Sequence, residues 1–398
     1  MSAHTHDVTP ASPRVRRHAR RLFTAILVPA LLVTLVGAWV LWPTGERPVL
    51  ETSPPGVTFP TVTVAEVLPD ATDPLRQVRA TTADGSSAWV QVPPEYLPEI
   101  HPGDRIVAAD LGELGTPETG LVFTDFVRGP PLGLLAAVFA VLVVTVARWR
   151  GFAALVGLGI SMGVIGAFML PALIEGKPAL PVALVTASAI MFVVLYLAHG
   201  FTLRTSTALV GTLLGLVATG LLATWASGAA HLTGLSGEYA LDLLSYAPQA
   251  RMSAILLCGM VIAGLGVLND VTITQASAVW ELHGSSPDAG WRELFGRGMR
   301  IGRDHIASTV YTIVFAYVGA TLPLVLLVSI SDRAMLDALT SGELAEEVAR
   351  TLVGSIGLVL AIPITTAIAA WVVRSGRAVE VSGTMVDPES ELVDVTVP

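Results

Sequence analysis

The sequence predicts an α-helical polytopic membrane protein of about eight spans with a small extracytoplasmic β-domain, and three observations lead to this class. Of the 398 residues, 53% are hydrophobic and only 14% are charged, whereas a soluble globular protein carries about 25% charged residues. Apolar runs of about 20 residues, which is the length that crosses a hydrocarbon core of roughly 30 Å, recur along the chain. One segment alternates apolar and polar residues as β-strands do. This composition excludes a disordered protein and argues against a soluble enzyme.

The N-terminal segment, residues 1–21, is polar and ends in five arginines. They are Arg14, Arg16, Arg17, Arg20 and Arg21. The apolar run 22–42 follows. It is longer than the apolar region of a signal peptide and continues into Trp42-Pro43, so we expect an uncleaved membrane anchor. The single cysteine, Cys258, rules out an intrachain disulfide and a zinc site built from cysteines.

Residues 43–129 have a different character and predict a folded β-domain. A stiff linker is expected first, because prolines recur at Pro43, Pro48, Pro54 and Pro55. Short alternating runs follow, and two of them flank Asp84-Gly85, a favoured hairpin turn. Four or five such strands suggest a small barrel or sandwich, similar to an OB-fold. It lacks the aromatic residues and basic groove of nucleic-acid-binding OB-folds, and we therefore expect no nucleic-acid partner.

Residues 130–375 are expected to form a multi-span helical domain in the lipid bilayer. Seven further spans are predicted, near 131–147, 152–174, 179–199, 206–230, 252–280, 305–330 and 351–373. With the N-terminus inside, 14 of the 23 basic residues fall on the cytoplasmic side. The positive-inside rule thus favours a multi-pass inner-membrane protein with both termini cytoplasmic and the β-domain outside. The acidic tail, 376–398, is predicted to be disordered.

Several spans carry local features. Gly211–Gly215 and Gly159–Gly163 are GxxxG pairs, which let helices approach closely, either inside the bundle or at a homo-oligomer face. Pro323 and Pro363 are expected to kink their spans. Residues 332–350 read as a surface amphipathic helix with Ser341 as its N-cap.

Span six, 252–280, is the most informative. At 29 residues it is about 44 Å long as a straight helix, so it must tilt, protrude or break, and Gly264 and Gly266 are the obvious places for a break. Its second half is polar. Helical spacing places four of its side chains on one face, namely those of Asp270, Thr274, Ser277 and Glu281. Asn269 precedes Asp270 directly in the sequence. An aspartate in a span usually faces a partner or water.

The next span opens with matching chemistry. Arg300, Arg303, Asp304, His305, Ser308 and Thr309 follow one another closely. His199 ends span four at the same predicted level. We therefore expect His199, Asp270, Asp304 and His305 to converge as ion or proton ligands, with Arg303 or Arg300 as the charge partner. Thr274, Ser277, Ser308 and Thr309 would supply a polar lining.

Four interpretations of this cluster stay open. Asp270 and Arg303 could form only a structural ion pair, or the cluster could belong to a proton- or ion-coupled transport path. Two histidines and two aspartates could also bind a metal, although no tight spacing supports this, and an intramembrane hydrolase is the fourth. The chain contains no GxSxG, HExxH or Walker motif. No enzymatic activity and no cofactor are expected.

Two long blocks, Gly264–Glu281 and Leu294–Thr309, closely resemble the YibE/F family of bacterial multi-spanning membrane proteins. Arg148–Gly151, His199-Gly200 and Ala320–Leu324 are also similar, so the resemblance extends over about residues 60–375. It implies an integral membrane protein without an assigned activity. The family pattern often has two aspartates where this chain has Asn269-Asp270. That departure weakens a divalent-metal site and leaves Asp270 as the principal acid.

The function expected from these residues is a transporter-like permease for an unknown small solute or ion, in which Asp270 is a buried coupling carboxylate. The alternative is a non-transporting scaffold, whose β-domain binds an envelope partner while the bundle anchors it.

Overall fold

The computed structural model describes residues 13–45, 56–68, 77–112, 121–237, 239–332 and 334–383, with the backbone alone at 13–19, 335 and 375–383. The linker prolines Pro48, Pro54 and Pro55 lie outside these residues, as do 1–12 and 384–398. The chain divides into two compact units. One comprises Val49–Arg148, and the other combines Met1–Pro48 with Trp149–Pro398.

The first unit contains a closed five-stranded barrel, which confirms the small β-domain. Its strands are β1 (Thr61–Val67), β2 (Val78–Thr81), β3 (Ser87–Gln91), β4 (Arg105–Asp110) and β5 (Leu121–Phe126). They close in the order β1-β2-β3-β5-β4, and the β3–β5 pair is parallel. The interior is apolar because alternate residues point inward: Val62, Val78, Val90 and Ile106 are at most 1% exposed.

The predicted hairpin turn joins β2 to β3. Gly85 has a φ of 85°, which is the left-handed conformation that glycine adopts without strain. Asp84 accepts hydrogen bonds from the Thr82 hydroxyl and from the hydroxyl and backbone N–H of Ser86. These hydrogen bonds, with that from Thr82 the strongest, lower the pKa of Asp84 to about 2. The turn is thus held by a carboxylate that stays ionised.

The helices are α1 (Pro13–Val40), α2 (Gly129–Val164), α3 (Leu170–Ile174), α4 (Ala179–His199), α5 (Leu203–Ala229), α6 (Ala240–Tyr246), α7 (Met252–Ser285), α8 (Trp291–Ala320), α9 (Leu322–Ser329), α10 (Met335–Leu339) and α11 (Gly342–Gly383). A π-helical turn, Ile165–Met169, joins α2 to α3. α2 is two helices that meet at Arg148, whose φ of 54° and ψ of −132° are not helical.

Within the described residues, six helices are long and apolar enough to cross a membrane, or seven if the bent α8–α9 pair is one span. This supports a helical membrane protein. The count treats Gly129–Ile174 as one element of 46 residues, whereas the sequence predicts two spans there, separated near Arg148.

The centre of the helical unit is formed by α5, α7 and α11, which pack closely through glycines. The Thr365 hydroxyl lies against Gly211, and the Thr219 hydroxyl lies against Gly357. Gly264 faces the backbone of Gly354. The Gly211–Gly215 pair therefore packs inside the bundle, the first of its two expected roles, while Gly159 and Gly163 have open space around them.

The expected break in span six is wrong, because α7 is one unbroken helix of 34 residues. Gly264 allows close packing against Gly354 and does not break the helix. The bend occurs elsewhere: α8 and α9 meet at Thr321 with an angle of 76°. Pro323, which is expected to kink its span, lies in the first turn of α9.

The segment 332–350 also differs from the predicted surface helix. α11 begins at Gly342 and runs through Pro363 to Gly383, so residues 342–350 belong to the last span helix and 376–383 are helical instead of disordered. Glu346 is 8% exposed and accepts the N–H of Gly234 at 2.9 Å. The hydroxyl of Ser341 donates to the Ala338 carbonyl and does not cap the helix.

Candidate functional site

The contact between α7 and α8 positions the polar side chains. Gln275 of α7 is buried, and its Nε2 donates to the carbonyl of Gly298 at 2.7 Å. Gly302 lies one turn further along α8, against Gln275 and Ile362. Side chains at these two glycines would hold the helices apart, so Gly298 and Gly302 allow α8 to pack directly on α7 and α11.

Contacts between helices give the depth of each residue along the bundle. Arg204, in the first turn of α5, meets Glu281 of α7 at 3.4 Å, and eight residues later Thr212 meets Thr272 at 2.6 Å. Asp270 lies 11 residues from Glu281, which is about 16 Å at 1.5 Å per residue. Asp270 therefore lies near the middle of α7, which runs from Met252 to Ser285.

The polar first half of α8 packs beside α7. Gly298 is level with Gln275, and His305 is level with Asp270. Arg300, Arg303 and Asp304 fall between these two levels. α8 begins at Trp291, well before the predicted span start at residue 305, and Leu294 in its first turn is already fully buried.

Asp270 and His305 are brought together, as predicted. His305 Nε2 lies 3.7 Å from Asp270 Oδ2, which is too long for a hydrogen bond but allows an ion pair when the imidazole is protonated. His305 Nε2 and the neighbouring Asn269 Oδ1 are both inaccessible and have no hydrogen-bond partner among the described residues. His305 Nε2 thus faces the carboxylate without a hydrogen bond, and the amide oxygen of Asn269 is a buried acceptor without a donor among the described residues.

Asp270 is not the buried carboxylate that was expected. Its side chain is 68% exposed, whereas that of His305 is 27% exposed. The carboxylate therefore lies at the surface of the bundle, on the edge of the α7–α8 contact.

The wider convergence is also wrong. At about 100° per residue, Asp304 and Arg300 each lie roughly 160–200° from Gly302 around α8, so they face away from α7. Arg303 is exposed, and none of these three forms an ion pair with any residue that the structure describes. Of the four expected ligands only Asp270 and His305 meet, and neither Arg303 nor Arg300 is the charge partner.

The predicted polar lining is divided. Ser308 and Thr309 both donate to the His305 carbonyl, at 3.0 and 2.8 Å, and so stay on the α8 surface near the pair. Thr274 is exposed one turn from Asp270. In the described part of the chain, no three histidine, cysteine or acidic side chains come together to hold a metal ion.

His199 and Ser277 line a separate cavity of about 1390 Å³ at one end of the helical unit. Parts of α1, α4, α5 and α7 enclose it, together with Arg150. Three arginines lie on its wall: Arg20, Arg150, and Arg204 in the first turn of α5.

The family described as YibE/F-like protein matches residues 135–375, which include α4 to α9 and the Asp270–His305 pair. The chain belongs to the YibE/F-like family. The match begins at residue 135 and does not include the barrel, to which the resemblance was expected to extend. Comparisons with curated proteins and with solved structures found no match.

Sequence reasoning missed the polar core of this YibE/F-like protein. Thr212 and Thr272 share a hydrogen bond at 2.6 Å, and Gln275 bonds to α8, all in the buried interior. Thr272 and Gln275 were visible as polar residues of span six. The available signal was their spacing of three residues, which puts both on a helix face different from that of Asp270.

Proposed function

We propose that this YibE/F-like protein is a membrane permease in which Asp270 binds or couples a cation or proton and His305 acts with it. The observation that carries the proposal is the Asp270–His305 pair at mid-depth of the spans, with 3.7 Å between the two groups. A carboxylate there costs a few kcal/mol on translocon scales, so it is normally retained for a partner, an ion or a proton relay.

Exposure of Asp270 fits a wetted path better than a lipid-facing surface. Arg300, Arg303 and Asp304 add exposed charge over the same depth on α8, on the side away from α7 in the case of Arg300 and Asp304. Such groups seldom face lipid tails. In the proposal this face meets water, or a second copy of the chain that encloses water with it.

The proposed topology has eight spans in the inner membrane, with residues 129–147 and 149–174 as two spans that meet at Arg148. Both termini are cytoplasmic, and the barrel is outside. The support is the positive-inside distribution of arginines and the non-helical backbone of Arg148. One straight helix of 46 residues would be about 69 Å long, far beyond a bilayer core.

Ion flux into liposomes tests the role of Asp270. Purified protein is reconstituted, a membrane potential is imposed, and internal pH is followed with a trapped dye. We expect Asp270→Asn to reduce flux to the level of empty liposomes. Glu281→Gln removes a carboxylate from the same face of α7 at its exposed end, and should leave flux unchanged. Equal flux in wild type and Asp270→Asn, at equal reconstitution, contradicts the proposal.

The scaffold function remains the second candidate, and the folded barrel favours it. The barrel has its own closed sheet and core and lies outside the family match. Deleting residues 57–128 separates the two candidates. A permease with a peripheral barrel retains part of its flux, whereas a scaffold loses its biological effect and shows no flux before or after deletion.

A further inference from the structure

The large cavity at the end of the helical unit has a basic lining. Three arginines contribute to it, Arg20 from α1, Arg150 and Arg204. His199 and His283 add two imidazoles. No carboxylate is among the lining residues within the described chain, and Arg204 pairs at 3.4 Å with Glu281, which is not one of them. The cavity therefore has an excess of positive charge.

The rest of the cavity wall is apolar and aromatic. Phe192 and Tyr196 of α4, Trp280 of α7 and Leu27 of α1 line it. Phe201 is 86% exposed and stacks on Tyr196, with 4.5 Å between the ring centroids. This pair, exposed on the Phe201 side and next to arginines, offers an apolar surface beside a site for an anion.

Position along the helices separates the charged and apolar parts. His199, Arg204 and His283 lie at the ends of their helices and Arg20 about two turns into α1, whereas Leu31 and Ile273 lie deeper. Leu31 is 11 residues from Arg20, about 16 Å along α1. A ligand that fits this arrangement has its charge at the membrane boundary and its tail in the apolar region.

The size of the cavity agrees with such a ligand. Its volume of about 1390 Å³ is above the roughly 300–1,000 Å³ of pockets for small molecules. Space therefore remains for an apolar tail after the arginines have bound a headgroup.

We infer that this cavity binds an anionic amphiphile, with its phosphate or carboxylate on Arg150, Arg204 and Arg20 and its apolar tail against Phe192, Tyr196 and Trp280. Arginine is suited to both anions because its planar guanidinium donates two parallel hydrogen bonds. Two sources share this chemistry, an anionic phospholipid of the bilayer and a soluble organic anion. The inference does not depend on Asp270, which lies seven residues from Ser277 on α7.

Binding to the purified full chain in neutral detergent tests the inference. The probes are dioleoyl phosphatidylglycerol and octyl phosphate, each compared with a neutral amphiphile of the same tail, dioleoyl phosphatidylcholine and octyl glucoside. Native mass spectrometry measures lipid binding, and the thermal unfolding midpoint measures stabilisation by octyl phosphate. We expect at least one anionic probe to bind about tenfold more tightly than its neutral counterpart. The probe with the larger preference identifies the source.

Arg150→Gln is the decisive variant, because Arg150 is exposed and forms no ion pair with a described residue, so the fold should survive. We expect it to weaken the anionic probe about tenfold, the size of one charge-assisted hydrogen bond. Arg150→Glu should weaken it further. Arg251→Gln is the matched control, since Arg251 is an exposed arginine at the opposite end of α7, and it should bind as the wild type does.

Two results overturn the inference. One is equal binding of anionic and neutral probes by the wild type, and the other is an equal loss in Arg150→Gln and Arg251→Gln. Neither result affects the flux difference between wild type and Asp270→Asn, so failure of this site and failure of the proposed permease are separately visible.

Discussion

Replacing Gly302 by alanine tests how α8 is seated on the bundle. A Cβ atom at Gly302 would lie 2.6 Å from Ile362 Cγ2 and 3.3 Å from both terminal atoms of Gln275. Ordinary van der Waals contact begins near 3.4 Å, so Ile362 or α8 itself must move by about 0.8 Å. Ile362 is fully buried and has little room to yield, because interiors are closely packed.

The expected cost follows from this overlap. Extra methyl groups in a packed core destabilise by about 1–3 kcal/mol, whereas alanine in a helix gains roughly 0.8–1 kcal/mol over glycine. Gly296→Ala is the matched control, since Gly296 lies in the same helix with nothing within 4 Å of its Cβ position. Both variants share the gain in helix propensity. The free energy of unfolding of Gly302→Ala should therefore be about 1–3 kcal/mol lower than that of Gly296→Ala.

Denaturant titration in mixed micelles, followed by circular dichroism, measures the difference in unfolding free energy between the two variants. Flux should fall in Gly302→Ala alone, because a shifted α8 carries His305 away from Asp270. Equal unfolding free energies for the two alanine variants would refute the proposed seating of α8.

Two further predictions concern other parts of the chain. Thr212→Val removes the hydroxyl that meets Thr272 at 2.6 Å, with little change of side-chain shape. The free energy of unfolding should fall by about 0.6 kcal/mol, the average for such hydrogen bonds in a membrane bundle. The same denaturant titration measures this change, and a variant more stable than wild type contradicts it. The turn at Asp84 should be stable above about pH 4 and loosen as the pH falls towards its lowered pKa of about 2, because the folded state favours the ionised carboxylate. Hydrogen exchange of the backbone at Gly85 and Ser86 measures this, after correction for intrinsic rates; protection that is unchanged from pH 5 to pH 2 contradicts it.

Elements with a strong local pattern were predictable from the sequence. The alternation of Val62 and Val64 and the Asp84-Gly85 turn are enough to predict the barrel strands, because one face of each strand is buried. Long apolar runs gave α4 and α5 within a few residues, since their length and hydropathy are set by the bilayer. The Asp270–His305 contact was predictable because both residues are polar and lie in adjacent spans.

Features that depend on packing between distant helices were not predictable. Residues 291–304 are polar, so hydropathy places them outside the membrane, yet Gly298 and Gly302 seat them beside Gln275 and Ile362. Gly264 suggested a break, but a glycine in a helix can equally meet another backbone, here that of Gly354. Asp304 and His305 are adjacent in sequence and still face different ways, because successive residues differ by about 100°.

The most direct test of the proposed path is whether the face around Asp270 meets water at mid-depth. Cys258, the only cysteine, is 1% exposed, so a Cys258→Ala background permits single reporters. Thr274→Cys lies one turn from Asp270. Leu214→Cys is the control. Leu214 is a 47% exposed apolar position of α5 within about one turn of the same depth.

A charged, membrane-impermeant thiosulfonate reacts with thiolates, which form in water and not in lipid. In reconstituted liposomes, Thr274→Cys should react readily and Leu214→Cys should not. Equal protection of both positions would contradict a wetted path and favour a bundle that only anchors its barrel.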